Sequence, residues 1–313
     1  MMTRFSITKK SIFWVTIAFV WMIVSAILFF SHIRFSKQFT GGIEFKIVSA
    51  VAQDTIKSDI TSLLVSSKIT TSTVTTYDAG EKTTVLIQVP NQTNEKVADI
   101  STQIQSLIKW KYLTNPDGLE EFAIVGPSIG ESIKSSATMA IIFGLLMMTG
   151  YMIFAFAAIR NFIQPWILAI ITAFTMLFDI LSPMGVYGIK MWLDPTAQVD
   201  VIFVIALLTT MWYSINDTII IFDRIRENLS KVSTKQASQL DCGTVFDDSL
   251  RQTMRRSLGT SLSVFLVVFA MYIFGTGDLG RFAFSMMVGV VSGSFSSIFL
   301  AAPLAYLIMK KNK

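Results

Sequence analysis

Six long apolar stretches constrain this chain more than any other feature. They run from Ser11 to Ser31, Ser135 to Ile159, Ile163 to about Val186, Val199 to Phe222, Leu258 to Gly275 and Phe282 to Met309. A hydrocarbon layer of about 30 Å takes about 20 residues of helix. Backbone polar groups in lipid must also be satisfied within the segment, so each stretch is predicted to be a transmembrane helix. Composition agrees, because the 313 residues are 52% hydrophobic and only 15% charged, against about 25% charged in a soluble globular chain. The first stretch follows Arg4, Lys9 and Lys10. It is too long for the apolar region of a secretory signal, and SAILFFSHI holds no small-x-small cleavage site, so it reads as a retained first helix.

Orientation follows from the basic residues. With the N-terminus in the cytoplasm, the segments on that side hold fourteen lysines and arginines, and the two short outer loops hold only Lys190 and Arg281. The positive-inside rule therefore puts both termini in the cytoplasm and residues 34–134 outside, where a long translocated domain escapes the rule. In that domain GGIEFKIVSA alternates like a strand, and AQDTIKSDITSLLVS places Ile56, Ile60, Leu63 and Leu64 on one helical face. TTSTVTTYD and KTTVLIQVP are strand-like runs joined at Ala79-Gly80-Glu81, a hairpin signal. A second helix follows, with Val97, Ile100, Ile104, Leu107 and Ile108 inward, and EEFAIVGP reads as the last strand. The β-α-β-β-α-β order is ferredoxin-like. The expected fold is an α-helical membrane protein of six transmembrane helices, with a ferredoxin-like α+β periplasmic domain between helices 1 and 2. Its parts are 1–33, 34–134 and 135–313, the last including a cytoplasmic loop, 223–257, that reads as a surface helical hairpin.

The chemistry lies in the fourth apolar stretch, where YSINDTIIIFDRIREN, Tyr213 to Asn228, carries Asp217. Asp217 is about 9 Å along a helix from the charged cluster that begins at Asp223. An ionisable group at such depth is costly and marks an ion or proton pathway, or a fixed partner on a neighbouring helix. Thr210, Tyr213, Asp217 and Arg224 share one stripe. Burial favours the neutral form of a carboxyl and a nearby cation the charged form, and a balance of the two suits a group that loads and releases protons. Arg256 starts the fifth helix on the same side, with Thr260 and Ser263 on its face. It reads either as the partner of Asp217 or as an interfacial anchor like Arg255. Asp179, on the third helix, counts to about 24 Å from Ile163, which sets it about 15 Å from the depth of Asp217. Asp223 reads as a solvated helix-end charge. On the sixth helix Ser285, Gly289, Gly293, Ser297 and Ala301 recur at every fourth position, a seam for close helix packing.

Several function classes are excluded by what the sequence lacks. It has no GxxxxGK[ST], no HExxH and no Ser-His-Asp set, because its single histidine, His32, sits at a membrane boundary. This points away from an enzyme and away from nucleotide hydrolysis. Cys242 is the only cysteine, so neither an intrachain disulfide nor a thiolate metal cluster is expected. The net charge of +5 follows topology and forms no nucleic-acid stripe. No cofactor or metal is implied.

With these residues in place, YSINDTIIIFDRIREN resembles the signature of the SecF family. The segments FTGG (Phe39 to Gly42), VGPSIG (Val125 to Gly130), FDI (Phe178 to Ile180), RRSLGTS (Arg255 to Ser261) and GVVSGSFSSIFLAAPL (Gly289 to Leu304) agree with it in order. The resemblance covers nearly the whole chain. It implies a half-transporter fold of the resistance-nodulation-division type, paired with a similar half from SecD. It also implies a role in the bacterial inner membrane, where the proton-motive force is used to help exported polypeptide leave the Sec channel, SecYEG. By position it makes Asp217, Arg256 and Asp179 the proton relay, with Tyr213, Ser214, Asn216 and Thr260 as polar lining and Ser285, Gly289, Gly293 and Ser297 as packing. Three departures stand out. Gln38 replaces an acid and should weaken a contact of the outer domain. Trp212 replaces a glycine and should crowd the fourth helix. Ser263-Val264 replaces a threonine pair and should thin the polar lining. The alternative reading is half of a proton-driven small-molecule exporter of the same fold, and a third is a structural scaffold whose buried acids are fixed hydrogen-bond partners.

Overall fold

The computed structural model describes residues 6–47, 53–66, 73–78, 83–88, 94–111, 119–125, 127–155, 164–194, 197–231, 242–275 and 277–311. In chain order its elements are a 3-10 turn Thr8–Lys10, α1 (Ser11–His32), α2 (Lys37–Thr40), β1 (Gly42–Ile47), α3 (Gln53–Ser66), β2 (Thr73–Asp78), β3 (Thr83–Gln88), α4 (Asn94–Lys111) and β4 (Leu119–Val125). Then come α5 (Pro127–Ala155), α6 (Pro165–Leu193), α7 (Val201–Ser230), α8 (Cys242–Phe274), α9 (Asp278–Ser296), a π-helical turn Ser297–Ala301 and α10 (Ala302–Lys311). Six spans are long and apolar enough to cross a membrane, supplied by α1, α5, α6, α7, α8 and the continuous α9–α10. The six expected from stretch length are all present. Contacts divide the chain into two units: Met1–His32 with Ala140–Trp192 and Ile202–Lys313, and Ile33–Met139 with Leu193–Val201.

In the helical unit α6, α7 and α9–α10 form the inner layer, each burying more than half of its membrane window, whereas α1, α5 and α8 present apolar side chains outward. Small residues set the spacing. A Cβ added at Gly188 of α6 would lie 2.7 Å from the Leu28 carbonyl oxygen of α1, and one at Gly185 would collide with Ser25. On α9, a Cβ at Gly289 would collide with the Thr210 side chain, and one at Gly293 would lie 3.0 Å from Ser214 Cβ. Ser285, Gly289, Gly293 and Ser297 are all buried, so this stripe is the seam along which α9 approaches α7.

The stretch expected as a surface helical hairpin is helical in its described residues and is built by extensions of the two membrane helices, because nothing in 224–231 or 242–256 breaks a helix. α7 runs to Ser230 and α8 begins at Cys242. The extensions are tied side by side: Asn228 Nδ2 donates to Ser249 Oγ at 2.8 Å and to Gln252 Oε1 at 3.0 Å, and Arg224 Nε donates to Gln252 Oε1 at 2.5 Å. The start of the chain is pinned to the same place. The Asp247 carboxylate accepts from the Ile7 and Thr8 backbone N–H at 3.1 Å each, and from the Ser6 and Thr8 hydroxyls at 2.5 and 3.1 Å. It thereby caps the helix start from a distant part of the sequence. Trp212 corrects an expectation. It is 62% exposed on α7, so most of its bulk projects away from the packed face of the helix and does not crowd it.

In the second unit the strands form one antiparallel sheet of order β2-β3-β1-β4, with Phe45 of β1 opposite Val85 of β3 and Phe122 of β4. Ile56, Ile60 and Leu64 of α3 and Ile100 and Ile104 of α4 are buried, while Leu63 is half-buried. The side chains of Val97, Leu107 and Ile108, and the turn at Ala79-Gly80-Glu81, lie outside the described residues. Residues 33–41 and 193–201 are joined by a Phe35–Val199 bridge, with Ser36 N donating to Val199 O at 2.9 Å and Val199 N to Arg34 O at 2.7 Å. Gln38 Oε1 accepts from Val201 N at 2.9 Å and satisfies the first donor of α7.

Two stability predictions follow from these contacts. Gly188→Ala should cost about 1–3 kcal/mol, because a carbonyl stands where its methyl must go. Gly150→Ala, with nothing within 4 Å, should be neutral or stabilising. Thermal unfolding in detergent, followed by tryptophan fluorescence, should lower the midpoint for the first variant only. In the same assay Gln38→Ala should cost about 1 kcal/mol through the lost cap.

Candidate functional site

The buried face of α7 is wide enough to meet neighbours on two sides, and each side holds one carboxylate within reach. On the first, Asp179 of α6, 1% exposed, accepts a hydrogen bond from the Ser214 hydroxyl of α7. Ser214 Oγ is 3.4 Å from Ser296 Oγ, and Thr218 Oγ1 is 3.0 Å from Ser297 Oγ. Ser297 also reaches Gly293 O at 3.0 Å and Ser214 O at 3.4 Å. Adjacent residues of a regular α-helix are turned about 100° apart, yet Ser296 and Ser297 are both fully buried. The π turn begins between them, a local widening that often accompanies functional sites. Among the described residues Asp179 Oδ1 completes no hydrogen bond. Pro183, four residues on and inside α6, carries no N–H for the Asp179 carbonyl, which leaves a further polar atom beside the acid.

On the other side of α7, Asp217 is also 1% exposed. Ser261 of α8 donates to Asp217 Oδ2 at 3.3 Å, and Ser261 Oγ accepts from Tyr213 at 3.1 Å and from Ser294 of α9 at 2.7 Å. With two donors pointing at its oxygen, the Ser261 proton is directed at the carboxylate. Ser257, one turn earlier on the same face of α8, is within reach of the Asp217 carboxylate, although its geometry falls short of a regular hydrogen bond. Ser214 and Asp217 are three residues apart, so the two acids are linked along α7 over about 4.5 Å of rise. This corrects the expected separation of about 15 Å. Asp179 is the central residue of α6, and α7 continues well past the charges once taken as the membrane boundary.

Tyr213 and Ser214 thus meet the acids, and the seam residues Gly289 and Gly293 bring α9 close enough for Ser294, Ser296 and Ser297 to join them. Two of the anticipated lining residues do not. Asn216 is exposed, one position from Asp217 and turned away with the helix. The Thr260 hydroxyl bonds the carbonyls of its own helix at Arg256 and Ser257. Arg256 is exposed, and among the described residues no ion pair joins it to Asp217, although it is near enough for its charge to be felt there. On α8 the face toward the acid is therefore Ser257–Ser261, not Arg256–Thr260, a shift of one residue. Ser257, Ser261, Ser294, Ser296 and Thr218 were missed by sequence reasoning. The signals for them are the i, i+4 serines within RRSLGTS and the serine density of SGSFSS. Among the described residues no three His, Cys, Asp or Glu side chains come together as a metal site would require.

The family described as protein export membrane protein SecD/SecF, C-terminal, matches residues 111–311. The chain is 34% identical over 210 residues to the protein translocase subunit SecF of Endomicrobium trichonymphae, covering 67% of this chain and 62% of that one. It is 32% identical over 235 residues to the protein translocase subunit SecF of Helicobacter pylori, covering 73% and 64%. It thus spans somewhat less than two thirds of the length of these relatives. Its fold is similar to that in the crystal structure of SecDF, a translocon-associated membrane protein from Thermus thermophilus, with a TM-score of 0.75 at 23% identity over 100% of this chain and 39% of that one. A family match across most of the chain, including every membrane helix after α1, shows that the chain belongs to the SecD/SecF family of protein export membrane proteins.

Proposed function

We propose that this chain is a proton-driven, non-enzymatic accessory subunit of the Sec translocase. It works with SecD beside the SecYEG channel and assists export of polypeptides across the bacterial inner membrane. The observation that carries the reading is that Asp179 and Asp217 are held by hydroxyls and not by cations. A carboxylate locked to a guanidinium stays ionised, because protonating it strands the cation. A hydroxyl donates to a carboxylate and, turned about, accepts from a carboxylic acid, so both charge states keep a partner. That is the environment needed by an acid that must change state in the membrane. Arg256, exposed on the adjoining face of α8, biases the charge of Asp217 without fixing it.

In this reading residues 1–33 are the cytoplasmic N-terminus and first helix, and 34–134 form a periplasmic ferredoxin-like domain. Residues 135–313 supply helices 2 to 6, with the cytoplasmic loop at 223–257 and both termini cytoplasmic. The antiparallel β2-β3-β1-β4 order with two helices supports the ferredoxin-like assignment. Protonation of Asp217 reverses the direction of its bond with Ser261, so the hydroxyls that tie α7 to α8 and α9 must turn about with it. The helices then shift against the SecD half, and the periplasmic domain moves against the exported polypeptide. Each charge that crosses 100 mV is worth about 2.3 kcal/mol. That is enough to bias a two-state motion roughly 40-fold.

Asp217→Asn, which keeps size and hydrogen bonding but cannot titrate, should abolish proton flux and export stimulation in vesicles holding the chain with SecD. Co-purification should show the complex still assembled. Full proton-dependent export by this variant would overturn the proposal. Failure to co-purify with SecD or the channel would point to the small-molecule exporter of the same fold.

A further inference from the structure

The extensions of α7 and α8 enclose a cavity of about 370 Å3 between them, beyond the apolar part of the bundle. Ile220, Asp223 and Arg224 line it from α7, and Gln252, Thr253 and Arg256 from α8. Four polar or charged groups at the mouth of a cavity this size make it a place for water. Its inner end stops one helical turn short of Asp217. Ile220 is three residues from Asp217 on α7, and Thr253 is four residues from Ser257 on α8.

Ser257 stands in that last turn and is unlike the hydroxyls around it. Ser249, Thr253, Thr260 and Ser263 all donate to carbonyls of their own helix, and Ser261 is fixed by Asp217, Ser294 and Tyr213. Ser257 is fully buried, and among the described residues its Oγ makes no hydrogen bond of regular geometry, the Asp217 carboxyl being the group it reaches toward. A buried hydroxyl left unpaired costs about 1–3 kcal/mol. Its own helix offers the same i−4 carbonyl its neighbours use, so its rotamer has left that bond and turned toward Asp217.

We propose that Ser257 is the proton relay between this cavity and Asp217, and that the cavity is the cytoplasmic half of the proton path. Ser261 and Ser257, one turn apart on the same face of α8, then divide the work: the first holds the carboxylate, and the second connects it to water. In the release direction the Asp217 carboxylic acid gives its proton to the Ser257 oxygen while the Ser257 hydroxyl proton passes to a water in the cavity. Asp217 becomes the carboxylate, the water becomes hydronium and Ser257 ends as it began. The hydronium proton then leaves to the cytoplasm through the water at the mouth, past Asp223 and Arg224. This inference rests on the proton-coupled reading of Asp217.

The test is proton flux in vesicles holding the chain with SecD, comparing Ser257→Ala, Ser257→Thr and Asp217→Asn, each in water and in heavy water. Ser257→Ala should slow flux at least 10-fold and change the solvent isotope effect, with an unchanged unfolding midpoint. Ser257→Thr, which restores a hydroxyl, should stay within about 3-fold of the parent, the loss in the alanine variant being of the size proton transfer through a positioned group contributes. If Asp217→Asn stops flux while Ser257→Ala runs at the parent rate, the relay is wrong and the proton-coupled reading stands. If threonine is as slow as alanine, Ser257 matters for packing and the relay is again wrong. Undiminished flux in Asp217→Asn would overturn both.

Discussion

A carboxyl group inside a membrane bundle has to find its hydrogen bonds within the protein, because lipid supplies none. Here that requirement falls on hydroxyls from three helices, α7, α8 and α9 with the π turn that continues it, and the rest of the arrangement follows from bringing them within reach. α9 can offer Ser294, Ser296 and Ser297 only because Gly289 and Gly293 let its backbone lie against Thr210 and Ser214 of α7. α8 can offer Ser257 and Ser261 because its start is held to α7 through Asn228, Ser249 and Gln252, and to the chain start through Asp247. The small-residue seam and the buried acids are thus one device, since widening the seam would leave the carboxylates unpaired.

The choice of hydroxyls over cations gives this device its proposed character. A buried ion pair repays desolvation only with fixed geometry, and breaking it strands a charge. Serine and threonine impose no such penalty, because each donates or accepts according to the state of the acid. The two acids also divide along α7. Asp179 is held by Ser214, which in turn reaches Ser296 of α9, and Asp217 is held by Ser261 of α8, one helical turn from the cavity. Protons moving between them would cross about one helical turn, a distance suited to hydroxyl groups or a bridging water.

How much of this was legible in the sequence depended on whether the signal was a length, a face or an angle. Stretch length gave all six spans, because the bilayer demands it of any helix. The every-fourth-residue stripe from Ser285 to Ser297 gave the seam, because four residues return to nearly the same direction. Faces fixed by a single residue were less secure. Choosing Arg256 and Thr260 over Ser257 and Ser261 turned α8 by about 100°, and only the neighbour it packs on could decide between them. Trp212 was read as crowding because its direction was unknown, yet it projects outward. Counting from the first apolar residue misplaces the depth of Asp179, because α6 and α7 both run on past the apolar stretches, to Leu193 and Ser230. Asp247 left no local signal at all, since its partners lie some 240 positions away at the start of the chain.

The central claim is that Asp217 changes its charge within the membrane, and infrared spectroscopy of the carboxyl group tests it most directly. In bilayers holding the chain with its SecD half, difference spectra between the parent and Asp217→Asn isolate the bands of this one side chain. The account predicts that a carboxylic acid band grows and a carboxylate band falls as pH is lowered, reversibly and in step with proton flux. A band that stays in one form across the whole pH range over which flux varies would contradict it.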